Sequence, residues 1–240
     1  DPDLLMLAAS CYRQLGLVFE FRSVINYARE KGVDSGKLKQ TTDLFDVQTG
    51  NFDEPAESKL LEFVQRDIAE NEARRAVIMG CLMRGDLAGA ARLIDQWHLQ
   101  APDALELPYL RAMLATSRSR WNEAEKLLLD SIAKNEQHEL SYLAIADLYA
   151  KPPNTNLEKC RLVLKQCLLR FPDNRSIAVR LARAGRESGH YAEASQVLEA
   201  QEPDQLVLFE KADIALDAGR YAESIDLMSQ GGLSDTGSFV

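Results

Sequence analysis

The side chains of this 240-residue sequence that are spaced to act together suit holding another molecule more than transforming one. Met79 and Met83 stand one helical turn apart, as do Tyr109 and Met113. Flexible thioethers beside an aromatic ring make an adaptable apolar surface for a peptide. The competing reading is that Met at helical spacing simply packs a core. Arg183 and Arg186, beside Arg180, could receive a carboxylate or a phosphate. The alternative is a solvated charged face neutralised by Glu187 and Asp213.

Chemistry of the catalytic kind has little to stand on. The three histidines, His98, His138 and His190, each fall near an expected helix end or turn. None has a His partner four residues away or an acidic ligand set nearby. There is no glycine-rich phosphate loop, nucleophile elbow or paired-carboxylate motif. The four cysteines, Cys11, Cys81, Cys160 and Cys167, fit no zinc spacing. Cys160 and Cys167 lie seven residues apart on one expected helix. That rise is about 10 Å, beyond the ~7 Å reach of a disulfide. They are expected to fill small buried spaces. Free thiols lean toward a reducing, cytoplasmic compartment. The sequence is therefore expected to be non-enzymatic, with no cofactor and no metal.

Composition narrows the partners. The net charge is −9, from 28 basic and 37 acidic residues. Binding a nucleic-acid backbone needs clustered Lys and Arg, so nucleic acid is not an expected partner. No apolar run approaches the ~18 residues of a membrane span. The first residue is Asp1, and no signal-type segment precedes the first expected helix, so the sequence is expected to be part of a longer protein.

The elements that must carry these residues are helices in pairs. Four short phrases recur: Gly85-Asp-Leu-Ala-Gly-Ala90, Ser119-Arg-Trp-Asn-Glu-Ala124, Gly189-His-Tyr-Ala-Glu-Ala194 and Gly219-Arg-Tyr-Ala-Glu-Ser224. Each follows one apolar helical stretch and opens another. Gly85 and Ser119 are 34 residues apart, Gly189 lies 70 further on, and Gly219 follows after 30. In the stretch Asn71–Ala104, Val77, Ile78 and Cys81 share one helix face and Gly85 ends the helix. Leu87 is buried at the turn, Ala90 is the small residue where the second helix crosses the first, and Ile94 and Trp97 continue the stripe. The pattern returns in Leu105–His138, Glu139–Asn174, Arg175–Asp204 and Gln205–Gln230.

Two departures are expected to change local geometry. Lys151-Pro-Pro-Asn-Thr-Asn156 replaces a tight turn with a bulged loop, because two prolines forbid helix there. The unit ending near Asp204 is four residues short, which shortens a helix end or the connection after it. Residues 1–70 follow the pattern less closely. Asp3–Gly32 reads as a helix pair whose crossing position holds Phe21 in place of a small residue. Gly36–Ala69 reads as a second pair, with a break at Gly50, Phe52 in the turn, and Leu60, Leu61 and Val64 beyond it. Residues 231–240 form a tail with little packing potential, expected to fray.

A 34-residue helix–turn–helix period with a small residue at each crossing resembles the tetratricopeptide repeat family over most of the chain. The resemblance implies an all-α fold, an α-α superhelix: a right-handed solenoid of about seven helix pairs. Residues 1–70 would be divergent pairs, and the repeats would run 71–104, 105–138, 139–174, 175–204 and 205–230. In this family the first helix of each pair lines a concave groove that binds peptides. The second, fifth, ninth, twelfth and thirteenth residues of each unit point into it. That register assigns Arg75, Met79, Met83, Tyr109, Met113, Arg183, Arg186 and Phe209 to the groove, with Met79, Met83, Tyr109 and Met113 together on adjacent first helices. Some members clamp a chaperone's terminal carboxylate with Lys at the fifth and Asn at the ninth residue. Arg75 followed by Met79 breaks that pattern, so chaperone-tail binding is not expected.

The expected function is an interaction scaffold that docks a protein or peptide segment or a partner domain in its groove. The alternative is a structural spacer in a longer bacterial-type repeat array serving envelope assembly or polymer export. Self-association through an uncapped end of the stack is a further expectation.

Overall fold

The computed structural model describes residues 1–65 and 70–233. Among these are fourteen α-helices, a terminal π-helical turn and no strand. The chain divides into two compact units, Asp1–Leu127 and Leu128–Val240. The first holds α1 (Pro2–Leu15), α2 (Val18–Glu30), α3 (Ser35–Gln48), α4 (Ala56–Gln65), α5 (Glu70–Met83), α6 (Leu87–Gln100) and α7 (Leu107–Ser117), followed by α8 (Trp121–Lys134). The second holds α9 (Glu139–Ala150), α10 (Leu157–Arg170), α11 (Arg175–Glu187), α12 (Tyr191–Glu199), α13 (Gln205–Asp217) and α14 (Tyr221–Met228), then the π turn Ser229–Leu233.

The turn chemistry is local and repeated. At Gly85, Gly189 and Gly219 the backbone is left-handed (φ 81°, 80° and 75°), which glycine adopts without a Cβ penalty. Ser119 takes the same place at φ 56°. Each turn is closed by an amide reaching back five residues. Asp86 N donates to Cys81 O, Arg120 N to Ala115 O, His190 N to Gly185 O and Arg220 N to Ala215 O, at 2.7–2.9 Å. That bond satisfies carbonyls left open at the helix end. The second helix then crosses the first at a buried small residue: Ala90, Ala124, Cys160, Ala194 and Ser224.

Within each unit, first helices pack on one another: α1 on α3, α3 on α5 and α5 on α7 in unit 1, and α11 on α13 in unit 2. Between α3 and α5 the approach is closest at Gly80. A Cβ there would collide with the Val47 carbonyl oxygen and lie 2.8 Å from Phe52 Cε1. In the first pair, Phe21 at the crossing stacks on Phe45 of α3 (ring centroids 4.0 Å apart, planes 8° off parallel). A flat ring thus replaces the small residue and ties the pair to the next first helix. These rings join Ala9, Ile25, Ala28, Val33 and Leu38 in one buried cluster. In unit 2 the corresponding cluster contains Val179, Ala182, Ala194, Leu198, Val207 and Ile214.

Both expected departures are present. Six residues, 151–156, join α9 to α10, where three join α11 to α12 and α13 to α14. Asn156 ends the loop by accepting a hydrogen bond from Lys159 N (2.9 Å), capping α10. The short unit loses its residues from the second helix: α12 has 9 residues, against 14 in α10. The end of the second pair at Ala69 and the fraying of residues 234–240 lie outside the described residues, and the side chain of Val64 is likewise not described.

Candidate functional site

The expected residues of unit 1 lie on two first helices that pack on each other. α5 carries Arg75, Met79 and Met83, and α7, packed against it, carries Tyr109 and Met113. Met83 is 66% exposed, while Met79 and Met113 are half-buried. Tyr109 is only 7% exposed and forms a floor more than a free surface. The backbone of Gly50, in the α3–α4 connection, comes close to Met83: a Cβ there would lie 3.3 Å from the Met83 Cβ. Arg84 donates to the Phe52 carbonyl (2.7 Å) with its guanidinium 3.8 Å from the Phe52 ring centroid, anchoring that connection to α5. Arg75 is half-buried. Burial lowers its pKa, and Glu72, Tyr109 and Glu106 act the other way. Its electrostatic neighbours form a polar layer that includes Arg13.

That layer continues where the sequence reading assigned no groove residue. Arg13 on α1 is 1% exposed. Its Nη1 donates to Gln48 Oε1 (2.8 Å), its Nη2 pairs with Glu72, and Gln48 Nε2 donates back to the Arg13 carbonyl (2.8 Å). α1, α3 and α5 are thereby joined by one buried guanidinium. Burial pulls the Arg13 pKa down to about 10, against the opposing attraction of Glu72, and Arg75 pushes it further down. Arg13 Nε is buried without an acceptor. It lines a cavity of about 220 Å³ with Met6, Ser10, Lys37, Gln40, Thr41, Leu44 and Glu72. The same second, fifth and ninth register that gives Arg75 and Met79, counted from Pro2 and Gly36, lands on Met6 and Ser10, and on Lys37, Gln40 and Leu44. Treating residues 1–70 as divergent hid them.

In unit 2 the expected residues are engaged by the chain itself. Glu210 on α13, 2% exposed, accepts from Arg183 Nε (3.0 Å) and Arg186 Nε (3.0 Å). Arg186 Nη1 also donates to Asp217 (2.8 Å), and its Nη2 lies 3.8 Å from Asp213. Burial works to lower the Arg186 pKa, but hydrogen bonds to Asp217 and Glu210 outweigh it, and the pKa rises above the usual arginine value. Arg180 pairs with Asp147 (3.0 Å). Asp213 is among the neutralising residues expected from sequence, but the principal counter-ion is Glu210. Phe209 is half-buried, and a Cβ on Gly231 would lie 2.9 Å from its Cε1, so the π turn packs on it. Gln205 Nε2 donates to the Gly231 carbonyl (3.3 Å) and holds the turn there.

Of the cysteines, Cys81, Cys160 and Cys167 are buried and Cys11 is exposed, all as free thiols. Burial pushes Cys160 up to about 11 and Cys167 up to about 12, the values of unreactive packing thiols. Among the described residues, no group of three or more His, Cys, Asp or Glu could hold a metal ion, and no helix is long and apolar enough to cross a membrane.

Solved structures with a similar course of the chain include Pseudomonas aeruginosa pilF, with a TM-score of 0.52 and 13% identity, over 96% of this chain and 93% of that one. A tetratricopeptide repeat protein from Parabacteroides merdae aligns over 99% of this chain and 94% of that one, with a TM-score of 0.49 and 14% identity. A thermophilic TPR protein from Thermus thermophilus aligns over 76% and 93%, with a TM-score of 0.45 and 15% identity. No family model matches the chain, and no curated protein matches it. The fold is an all-α solenoid of the tetratricopeptide type, made of helix pairs, most of them closed by left-handed turns and crossing at small residues.

Proposed function

We propose that this chain is an interaction scaffold whose docking surface is the first-helix face of unit 1. The observation that carries the reading is the set of thioethers on two packed first helices: Met83 exposed and Met79 half-buried on α5, Met113 half-buried on α7, with buried Tyr109 and half-buried Arg75 on the same two helices. A partner segment would lay an apolar stretch across the methionines, whose unbranched side chains adapt at low cost. Its backbone groups would find donors in Arg75 and Tyr109. The face of unit 2 offers less, because its arginines are held by Glu210 and Phe209 is packed against the π turn.

The test is affinity capture from source-cell lysate with three baits: the parent, Met79→Glu with Met113→Glu, and Leu206→Glu on unit 2. Circular dichroism first establishes that all three are folded. A protein retained by the parent and by Leu206→Glu, but lost from the double variant, supports the reading. Equal capture by all three, or none by any, overturns it. The spacer reading is favoured by a different observation. The terminal pairs expose apolar side chains that stacked neighbours would cover: Leu4, Leu7 and Phe19 on α1 and α2, Tyr221 and Ile225 on α14.

A further inference from the structure

This chain carries nine more acidic than basic residues, and its arginines are, as a rule, paired. Arg13, Arg74, Arg161, Arg170, Arg175, Arg180, Arg183 and Arg186 each reach at least one carboxylate. Three arginines that stand close together are less well served. Arg111 on α7 is half-buried and has no hydrogen-bond or ion-pair partner among the described residues. Arg118, two turns further along the same face, donates only to a neutral acceptor, the Leu87 carbonyl (3.3 Å). Arg120 follows the left-handed turn at Ser119, which folds the chain back beside α7. Its only ion pair among the described residues, with Glu123, is long (3.5 Å) and exposed on both sides, a geometry that contributes little.

These three arginines and Glu123 line one cavity of about 330 Å³. Its remaining walls are Leu114, Ala115 and Leu127, the first two buried. The volume is within the range of small-molecule sites. Three guanidinium groups and one carboxylate leave a formal charge of +2 around it. Three cations held together with a single carboxylate repel one another, and a half-buried guanidinium without an acceptor carries a desolvation cost. A bound oxyanion relieves both, through the paired N–H donors that guanidinium offers to phosphate.

We propose that the α7–α8 hairpin binds an organic phosphate monoester in this cavity. The dianion matches the charge of +2, and the three forked donor groups match its three terminal oxygens. The organic part lies on Leu114, Ala115 and Leu127. The site uses none of the methionine face, so it stands or falls independently of the scaffold reading.

Phenyl phosphate is the probe, titrated into the full chain by isothermal calorimetry, with inorganic phosphate and benzoate as comparisons. Phenyl phosphate is expected to bind at one site, with affinity falling as salt rises. Inorganic phosphate binds several-fold more weakly because the apolar wall is left empty, and benzoate at least tenfold more weakly because it is a monoanion. Arg111→Gln weakens phenyl phosphate at least tenfold, and Arg120→Gln, at an exposed position that folding tolerates, several-fold. Glu123→Gln tightens it several-fold by removing the competing carboxylate, a gain that a purely structural cluster would not give. No saturable binding at millimolar phenyl phosphate, or equal affinities for the parent and the two arginine variants, overturns the proposal. Benzoate binding as tightly as phenyl phosphate overturns the assignment to phosphate.

Discussion

The two units solve the same packing problem by different means, and the difference decides what each face can offer. In unit 1 neighbouring first helices are set by a backbone contact, Gly80 of α5 against the Val47 carbonyl region of α3, and by one guanidinium reaching across three helices. Its methionines take no part in either contact. In unit 2 the neighbours α11 and α13 share an apolar cluster and are further tied by side-chain charge, with two arginines converging on one buried carboxylate. That arrangement consumes the groups a ligand would otherwise meet. A repeat array can thus keep one backbone plan while varying which stretch of its surface is free.

The largest expected effect tests the backbone half of this comparison. Gly80→Ala should destabilise unit 1 by about 3 kcal/mol or more, since the collision is with a carbonyl that cannot rotate away. Gly185→Ala in unit 2 meets only the Ala194 Cβ, at 3.3 Å. A small shift plus the better helix propensity of Ala should leave that variant within about 1 kcal/mol of the parent. Urea unfolding followed by circular dichroism measures both, and similar midpoints for the two variants would refute the distinction. Next in size is Glu210→Gln. It leaves Arg183 and Arg186 without their shared carboxylate and should cost about 2–3 kcal/mol, less than a fully buried pair because Arg183 is half exposed. A cost near zero would mean that Asp213 and Asp217 suffice, and that unit 2 is not held by charge at its core.

The turns, the crossings and the apolar faces were legible because they are local. A left-handed position, a small residue in the first turn of the second helix and a 3.6-residue stripe are written in consecutive residues. That Met79, Met83 and Met113 would fall on first helices was legible for the same reason. The polar partners were not. Arg13 meets Gln48 and Glu72, 35 and 59 residues away. Glu210 reads as one more carboxylate on a helix until α11 is placed beside α13. Phe209 matches the groove register, but its packing against the π turn depends on a segment that sequence patterning treated as a loose tail. Periodicity tells which face of a helix turns inward, but not which charge on the neighbouring helix will be waiting.

Arg13 and Glu72 give an asymmetric test of intermediate size. Glu72 is 33% exposed and Arg13 only 1%. Arg13→Met removes a charge that burial already penalises, and the freed carboxylate can regain water, so the cost should stay below about 1 kcal/mol. Glu72→Gln leaves the guanidinium buried with only neutral partners, and about 2 kcal/mol should be lost. Equal costs would mean that the pair contributes mainly by attraction, and that the polar layer of unit 1 is held as unit 2 is.

The smallest effect concerns Glu139, on α9 of unit 2. Burial raises its pKa, against a hydrogen bond from Asn174 (Nδ2 to Oε1, 2.9 Å) and the attraction of Arg180. A carboxyl that holds its proton to higher pH when folded binds more protons in the native than in the unfolded state. Its contribution therefore declines as pH rises through and above the ordinary carboxylate range, and is fully present only below it. Glu139→Gln keeps an acceptor for Asn174 and removes the charge. At pH 7 it should stabilise by no more than about 0.5 kcal/mol, screened by the half-exposed setting, and the gain should vanish by about pH 3, where both side chains are neutral. The sign is the informative part. If Glu139→Gln were instead destabilising at pH 7, Arg180 would be holding Glu139 as well as Asp147, and the charge network closing unit 2 would extend from α13 back to α9.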